Sequence, residues 1–337
     1  VYMHDNVTSI MQEECDRTAS DINSYLNRVE QSVKTVADLT MTSLDDFSKF
    51  QSSGEYVTEL TGKLEDTLYS ASSNTAGAIC SYIRYNPDFT EPTSGLFMTR
   101  NSTEEDFQSV TPTDFSVYDK SDVSHVGWYY TPVNNGAPMW MSPYYNDNVG
   151  IYMISYVVPL FRDSVNVGIV GMDIEFDMVE SLADGCTRFE SYLPIVINGD
   201  GNVMYCPTMD FNTSLAEASP ALYNGVTSGT RELIDARVGD SSRSAVYSTL
   251  NNGMTLISTA TGSELSAQTN MLIIMILGAV VIVAVAATVI AFIIVNKITK
   301  PISGLNAAAK KIAAGDLDVN VDCHSRDDIG ELAESFR

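Results

Sequence analysis

Asp173 makes the clearest chemical demand in this sequence. It sits in the run Ile169-Val170-Gly171-Met172-Asp173-Ile174, which has the composition of a buried strand. A carboxylate in such a setting needs a cation, from the protein or from a ligand, because losing its water is costly. Glu175 and Asp177, just downstream, read as solvated acids. Trp128, Trp140 and Tyr144 are the aromatics to weigh beside it. Taken singly, each reads equally well as core, since aromatics bury large areas in any domain. The three histidines (His4, His125, His324) are scattered, and the five cysteines (Cys15, Cys80, Cys186, Cys206, Cys323) are irregularly spaced. No zinc spacing results, and neither a metal nor a cofactor is expected. No nucleophile–base pair and no Gly-rich phosphate loop is legible, which disfavours an enzyme.

The elements that must position these residues are strands. Aromatic and β-branched residues dominate 118–177, broken by Pro and Asn-Gly signals. Ile151–Leu160 and Val165–Phe176 read as two strands joined by the tight turn Phe161-Arg162-Asp163-Ser164. Upstream, Val7–Leu44 carries apolar residues at helical spacing (Ile22, Leu26, Val29, Val33, Val36, Met41, Leu44) with no Gly or Pro. At about 1.5 Å per residue this is a rod of more than ~50 Å. Two readings stand: a stalk that pairs with a second copy, or a helix packed on its own domain. A second helical patch is expected from Gly54 to about Arg84. Beyond 178, Met178–Leu182 reads as helix. Leu193–Asn198 with Asn202–Cys206, and Ala245–Leu250 with Met254–Thr261, read as hairpins around Asp-Gly and Asn-Gly turns. The polar segment between the hairpins reads as helix or loop. The expected fold class is therefore α+β, in two units, the first larger than the second.

Met271–Val295 is a run of 25 residues without a charge. A bilayer core about 30 Å thick needs about 20 apolar residues in a helix, so this run is long enough to span it. A buried core helix is the alternative reading. Lys297, Lys300, Lys310 and Lys311 follow the run, whereas the last basic residue before it is Arg243. That asymmetry puts 297–337 in the cytoplasm and residues before about 268 outside the cell membrane. The formal net charge is −24, and 297–337 holds six basic and seven acidic residues, so the acidic excess is external. Nucleic acid, which needs a basic footprint, is excluded as a partner; the lipid bilayer is one. Cys323 is expected to be a reduced cytoplasmic thiol, and Cys186 with Cys206 is the candidate external disulfide. The chain opens with the polar VYMHDNVTSI, so an export signal and a first membrane helix are expected upstream. The pattern at Ser335-Phe336-Arg337 is expected to continue downstream.

Two family resemblances follow. Ile298-Thr299-Lys300-Pro301-Ile302, Leu305, Lys311-Ile312-Ala313-Ala314-Gly315-Asp316-Leu317 and Asp327-Asp328-Ile329-Gly330-Glu331-Leu332 resemble the first part of a HAMP linker. Ile298, Ile302, Leu305 and Ile312 form an apolar stripe that Gly315 ends, and a second helix is expected near Asp327-Asp328. Two such helices cannot bury their stripes alone, but two chains together can make a parallel four-helix bundle. Gly127-Trp128-Tyr129-Tyr130, Trp140-Met141-Ser142-Pro143-Tyr144, Tyr156-Val157-Val158-Pro159-Leu160 and Gly168-Ile169-Val170-Gly171-Met172-Asp173-Ile174 resemble double Cache sensor domains of bacterial transmembrane receptors. That resemblance covers roughly 10–265 and implies two PAS-like antiparallel-sheet modules behind a long N-terminal helix. The expected order is stalk helix 1–44, membrane-distal module with the ligand pocket 45–178, membrane-proximal module 179–265, transmembrane helix 268–296 and partial HAMP linker 297–337.

In the amino-acid-binding branch of that family, the resemblance implies that Trp128, Tyr129, Tyr144 and Asp173 line the pocket, with Trp140, Tyr118 and Tyr156 as further ligand-binding candidates. The family's carboxylate-binding Arg falls at Val126 here, and its upstream Tyr at Ser121. A buried ligand carboxylate needs a cation, ideally a bidentate Arg; Tyr118, Lys120 or His125 are the possible substitutes. What remains is an aromatic cluster with one acid, which suits a cation. The leading expectation is a small amine or other cationic metabolite. The alternatives are an amino acid, a nucleobase or a short carboxylate. The resemblance further implies a homodimer, through stalk and HAMP, that signals to a cytoplasmic output domain. The rivals from other classes are an extracytoplasmic enzyme and a non-sensing dimeric membrane protein.

Overall fold

The computed structural model of the chain describes residues 2–146, 150–316, 319–320 and 328–335. Leu317, Cys323 and Asp327 lie outside these. The chain divides into two compact units, 1–265 and 266–337.

The first unit opens with helices α1 (Tyr2–Ser43), α2 (Phe47–Ser52) and α3 (Gly54–Ser73). Strands β1 (Ala78–Tyr85), β2 (Gly95–Thr99) and β3 (Gln108–Ser109) come next, followed by helix α4 (Val123–Asn135). Then come β4 (Met139–Trp140), β5 (Tyr144–Asn146), β6 (Ile151–Arg162) and β7 (Val165–Glu175). These seven strands form one antiparallel sheet in the order β3-β2-β1-β7-β6-β4, with β5 also paired to β6. After α5 (Asp177–Ala183), a second sheet is built from β8 (Leu193–Ile197), β9 (Val203–Tyr205), β10 (Ile234–Val238), β11 (Ser241–Thr249) and β12 (Thr255–Thr261). Its order is β10-β11-β12-β8-β9, with α6 (Leu215–Ala218) and α7 (Pro220–Thr227) in the β9–β10 connection.

The two central strands of the first sheet meet at Asp163 and Ser164, both at positive φ (48° and 66°). Positive φ at both loop residues is what a two-residue type I′ hairpin requires. The apolar stripe of α1 is buried on its own domain: Met11, Ile22, Leu26, Val29, Val33 and Val36 are all at most 1% exposed. They share one core with Ile83, Tyr85, Val158, Val170 and Met172 of the first sheet and with Val196, Val246 and Leu256 of the second. One helix therefore backs both sheets.

Three expectations are corrected. The helix expected to run to Arg84 ends at Ser73, and β1 begins at Ala78. Gly77 at φ +73° turns the chain, and Ile79, Tyr82, Ile83 and Tyr85 suit a strand better than a helix. The segment between the second-sheet hairpins contributes an edge strand, β10, whose Ile234, Ala236 and Val238 alternate inward. Cys186 and Cys206 are free thiols, packed in different hydrophobic clusters.

Helix α8 (Gly262–Ile294) continues through a π-helical stretch, Val295–Thr299, into α9 (Lys300–Ala313). Ile273–Ala313 is long and apolar enough to cross a membrane, with a mean hydropathy of 3.1 in its best window. In the second unit, Leu305 and Ala308 of α9 pack with Val319 and with Ile329 and Ala333 of α10 (Asp328–Glu334). Ile298, Ile302 and Leu332 stay exposed. This chain alone thus buries only part of the apolar stripe.

Candidate functional site

The ladder decides which residues share a face of the first sheet. Cys80 pairs with Asp173 and Tyr82 with Gly171, while Ser155 also lies opposite Asp173. Directly paired residues point the same way. Cys80, Tyr82, Arg84, Ser155, Val157, Gly171 and Asp173 therefore occupy one face, and α1 covers the other. The Asp173 face is roofed by α4 and the short 3-10 turn Phe115–Val117. There Tyr82, Phe115, Val126, Tyr129, Val157 and Ile169 form their own cluster, with Trp128, Tyr118 and Phe97 packed on it.

Asp173 is 5% exposed. Its Oδ1 accepts from the Tyr82 hydroxyl at 3.1 Å and its Oδ2 from the Tyr144 hydroxyl at 3.4 Å. Ser155 lies close enough to favour the ionised form, yet its Oγ completes no hydrogen bond of normal geometry. Burial dominates and lifts the carboxyl to about 6, against which the Ser155, Tyr82 and Tyr144 hydroxyls pull only partly. Among the described residues, no Lys, Arg or His forms an ion pair with it. Burial and the nearby carboxylate push the Cys80 thiol up to about 12. Tyr82 and Tyr144 are raised well above their ordinary range by the same two causes, in that order. Both phenols therefore stay protonated and donate.

Tyr82 is central and was missed in the sequence because Gly54–Arg84 reads as helix. Its ring stacks on Phe97 at 5.5 Å and meets Trp128 edge-on at 5.0 Å. The slot for it exists because residue 171 is glycine: a Cβ there would stand 2.3 Å from the ring. Among the predicted residues, Trp128 and Tyr129 lie in the α4 roof, and the Tyr129 hydroxyl donates to Asn166 at 3.0 Å. Tyr144 lies on β5 with its hydroxyl on Asp173, although its ring is partly exposed. Tyr118 stacks on His125 at 4.8 Å beside the roof. Trp140 and Tyr156 are brought together elsewhere. They pair across β4–β6 on the α1 face of the sheet, where Trp140 Nε1 donates to Glu30 at 3.0 Å and Lys34 lies 5.5 Å over the Tyr156 ring. Strand alternation puts them on the opposite face from Asp173.

Val126, where the resemblance expects an Arg, is a packed roof residue at 1% exposure. Lys120 and His125 are engaged at the surface with Asp88 and Asp122. The buried cation of this face is Arg84, fully enclosed on β1. It donates to the carbonyls of Ser94, Pro92 and Thr113 at 3.3, 2.9 and 2.8 Å and lies 4.3 Å over the Phe115 ring. Its Nη1 has no acceptor, and burial lowers its pKa to about 10.

A family model described as the methyl-accepting chemotaxis protein-like first PDC sensor domain matches residues 64–181, and a HAMP domain model matches 293–337. The chain carries a PDC-type sensor domain and a HAMP domain. Asp173 and its partners all fall inside the PDC match. The chemotaxis protein TlpA of Bacillus subtilis is 25% identical over 229 residues, which is 67% of this chain and 32% of TlpA. McpB of the same organism is 43% identical over 61 residues, 18% of this chain and 9% of McpB. The chain thus spans about a third or less of these relatives. Among solved structures, the ligand-binding domain of the Campylobacter jejuni chemoreceptor Tlp3 with L-norvaline superposes with a TM-score of 0.56 at 11% identity, covering 79% of this chain and 94% of that one. The ligand-binding domain of the Pseudomonas aeruginosa chemoreceptor PctC with GABA gives 0.53 at 14% identity, covering 75% and 99%. These likenesses establish that the PDC domain and the second sheet share a chemoreceptor sensor fold.

Proposed function

We propose that this chain is the sensing and membrane-crossing part of a bacterial chemotaxis receptor. In this reading the PDC domain lies outside the cell and binds a small molecule through a positively charged group at Asp173. The supporting observation is a single one: a buried carboxylate whose partners are hydroxyls only. Hydroxyls stabilise a carboxylate but do not neutralise it. A ligand ammonium would supply the missing charge, and the Trp128, Tyr82 and Tyr144 rings suit a cation. The apolar helix then crosses the bilayer, with the lysines after it on the cytoplasmic side. The HAMP helices pair with those of a second copy, which covers Ile298, Ile302 and Leu332. Binding, not turnover, is the assigned role, so the solute should be recovered unchanged.

A thermal-shift screen of metabolites tests the reading. A bound amine at 100 times its Kd adds about 2.7 kcal/mol of stability. Asp173→Asn removes that gain while leaving a folded domain. Stabilisation by carboxylates or nucleobases alone would refute the amine assignment. A second reading, an amino acid, rests on Arg84. Its Nη1, which has no acceptor, can donate to a ligand carboxylate on the same face if the roof opens, and the Tlp3 and PctC structures named above hold L-norvaline and GABA. In that case amino acids stabilise the domain, simple amines do so less, and Arg84→Met abolishes the difference.

A further inference from the structure

The edge segment from Trp140 to Tyr144 touches both faces of the first sheet. Trp140 pairs with Tyr156, but Tyr144 pairs with Met153. Four steps along the edge therefore match three along β6. Met141 keeps the ladder by donating to the Ser155 carbonyl at 2.8 Å, so the extra residue lies at Ser142-Pro143. Pro143 has no N–H to give, and such a residue belongs at a bulge on a sheet edge. One added residue inverts the alternation of a strand. As a result the segment turns Trp140 toward α1 and Tyr144 toward Asp173. At one end the Tyr144 hydroxyl holds the carboxylate at 3.4 Å, a length at the weak limit of such bonds. At the other end Trp140 donates to Glu30, 110 residues away in sequence, and Glu30 is clamped by Lys34 at 2.7 Å. The Trp140 ring also packs at 5.1 Å on Tyr156, over which Lys34 sits.

We propose that Trp140 and Glu30 are coupling residues: the bulged edge Trp140–Tyr144 carries a change of charge at Asp173 through the sheet to α1. It rests on Asp173 being the residue that meets the ligand. A cation at Asp173 competes with the Tyr144 phenol for the carboxylate. The loosened phenol lets the bulge shift, and the shift arrives at the Trp140–Glu30 contact. This gives Trp140 a role without ligand contact.

A proton can stand in for the ligand's positive charge. The full chain in nanodiscs, labelled with 5-fluorotryptophan, has two resonances because it has two tryptophans, assigned with Trp128→Phe and Trp140→Phe. The carboxylate faces Cys80, Tyr82, Tyr144 and Ser155, and Trp140 faces Glu30, Lys34 and Tyr156. Trp128 faces Tyr82 and Arg84 and donates to the His125 carbonyl, so every titration is run in a His125→Gln background. Between pH 8 and 4.5 both resonances should move with a shared midpoint near 6. Asp173→Asn should abolish both steps, and Tyr144→Phe should abolish only the Trp140 step. Glu30→Gln should remove the Trp140 step and leave that of Trp128. A Trp140 step that survives Asp173→Asn reports Glu30 itself and overturns the proposal. A Trp128 step without a Trp140 step overturns the coupling while leaving the pocket reading intact. If neither resonance responds to Asp173, both fall.

Discussion

The two sheets share a plan and differ in what they bury. Each turns one face to α1 and covers the other with short helices, α4 over the first and α6 with α7 over the second. Under α6 and α7 the second sheet places Leu193, Ile195, Ile197, Val203 and Ile257 against Leu215 and Leu222. Its described buried polar groups are the hydroxyls Ser244, Ser258 and Thr259. The first sheet, under α4, places Asp173, Arg84, Ser155 and Tyr82 in the equivalent layer. One face is filled mainly by aliphatic packing. The other keeps charge that its own side chains do not neutralise. A fold of this size can carry that cost because α1 ties both sheets into one core.

The comparison can be broken most forcefully from the aliphatic side. Ile195→Ala should cost about 2–5 kcal/mol in denaturant unfolding, yet leave any ligand-induced stabilisation intact; loss of that stabilisation would mean the second sheet takes part in binding. Next in size is the pH response. Asp173 has a raised carboxyl, so its folded form holds a proton that the unfolded chain has lost. Its favourable contribution is fully present below about 4 and disappears as pH rises through about 6. Relative to wild type, Asp173→Asn should therefore gain on the order of 3 kcal/mol between pH 4 and pH 7. A flat difference between the two unfolding curves would contradict the buried, ionised acid.

Two glycines sharpen the contrast further. Gly171→Ala drives a Cβ into the Tyr82 ring and should cost about 1–3 kcal/mol together with the ligand response. Gly201→Ala, in the β8–β9 turn at φ +81°, drives a Cβ into the Tyr223 ring of α7 and should cost stability and spare the response. The smallest effect is that of Tyr82→Phe, about 1 kcal/mol. Losing that donor should raise the Asp173 carboxyl further above 6, as followed by carboxyl 13C titration.

Local pattern made much of this legible. The uncharged run at Met271–Val295, the strand pair around Asp163-Ser164 and the α1 stripe are each set by neighbouring residues, through length, turn chemistry and period. The need of Asp173 for a partner was legible too, because a charge in an apolar strand is costly wherever that strand lies. The partners themselves were not. Tyr82 reaches Asp173 from 91 residues away, and only the pairing of Ala78–Tyr85 with β2 and β7 decides which of its side chains share the face of Asp173.

Sequence by itself thus determined the kinds of elements, the apolar helix and the one acid that must be answered. The tertiary structure decided which side chains answer it. Facing depends on register, and register on contacts far apart in the chain. A single extra residue at Ser142-Pro143 sends Trp140 to α1 and Tyr144 to the carboxylate, and nothing local to either aromatic announces that inversion.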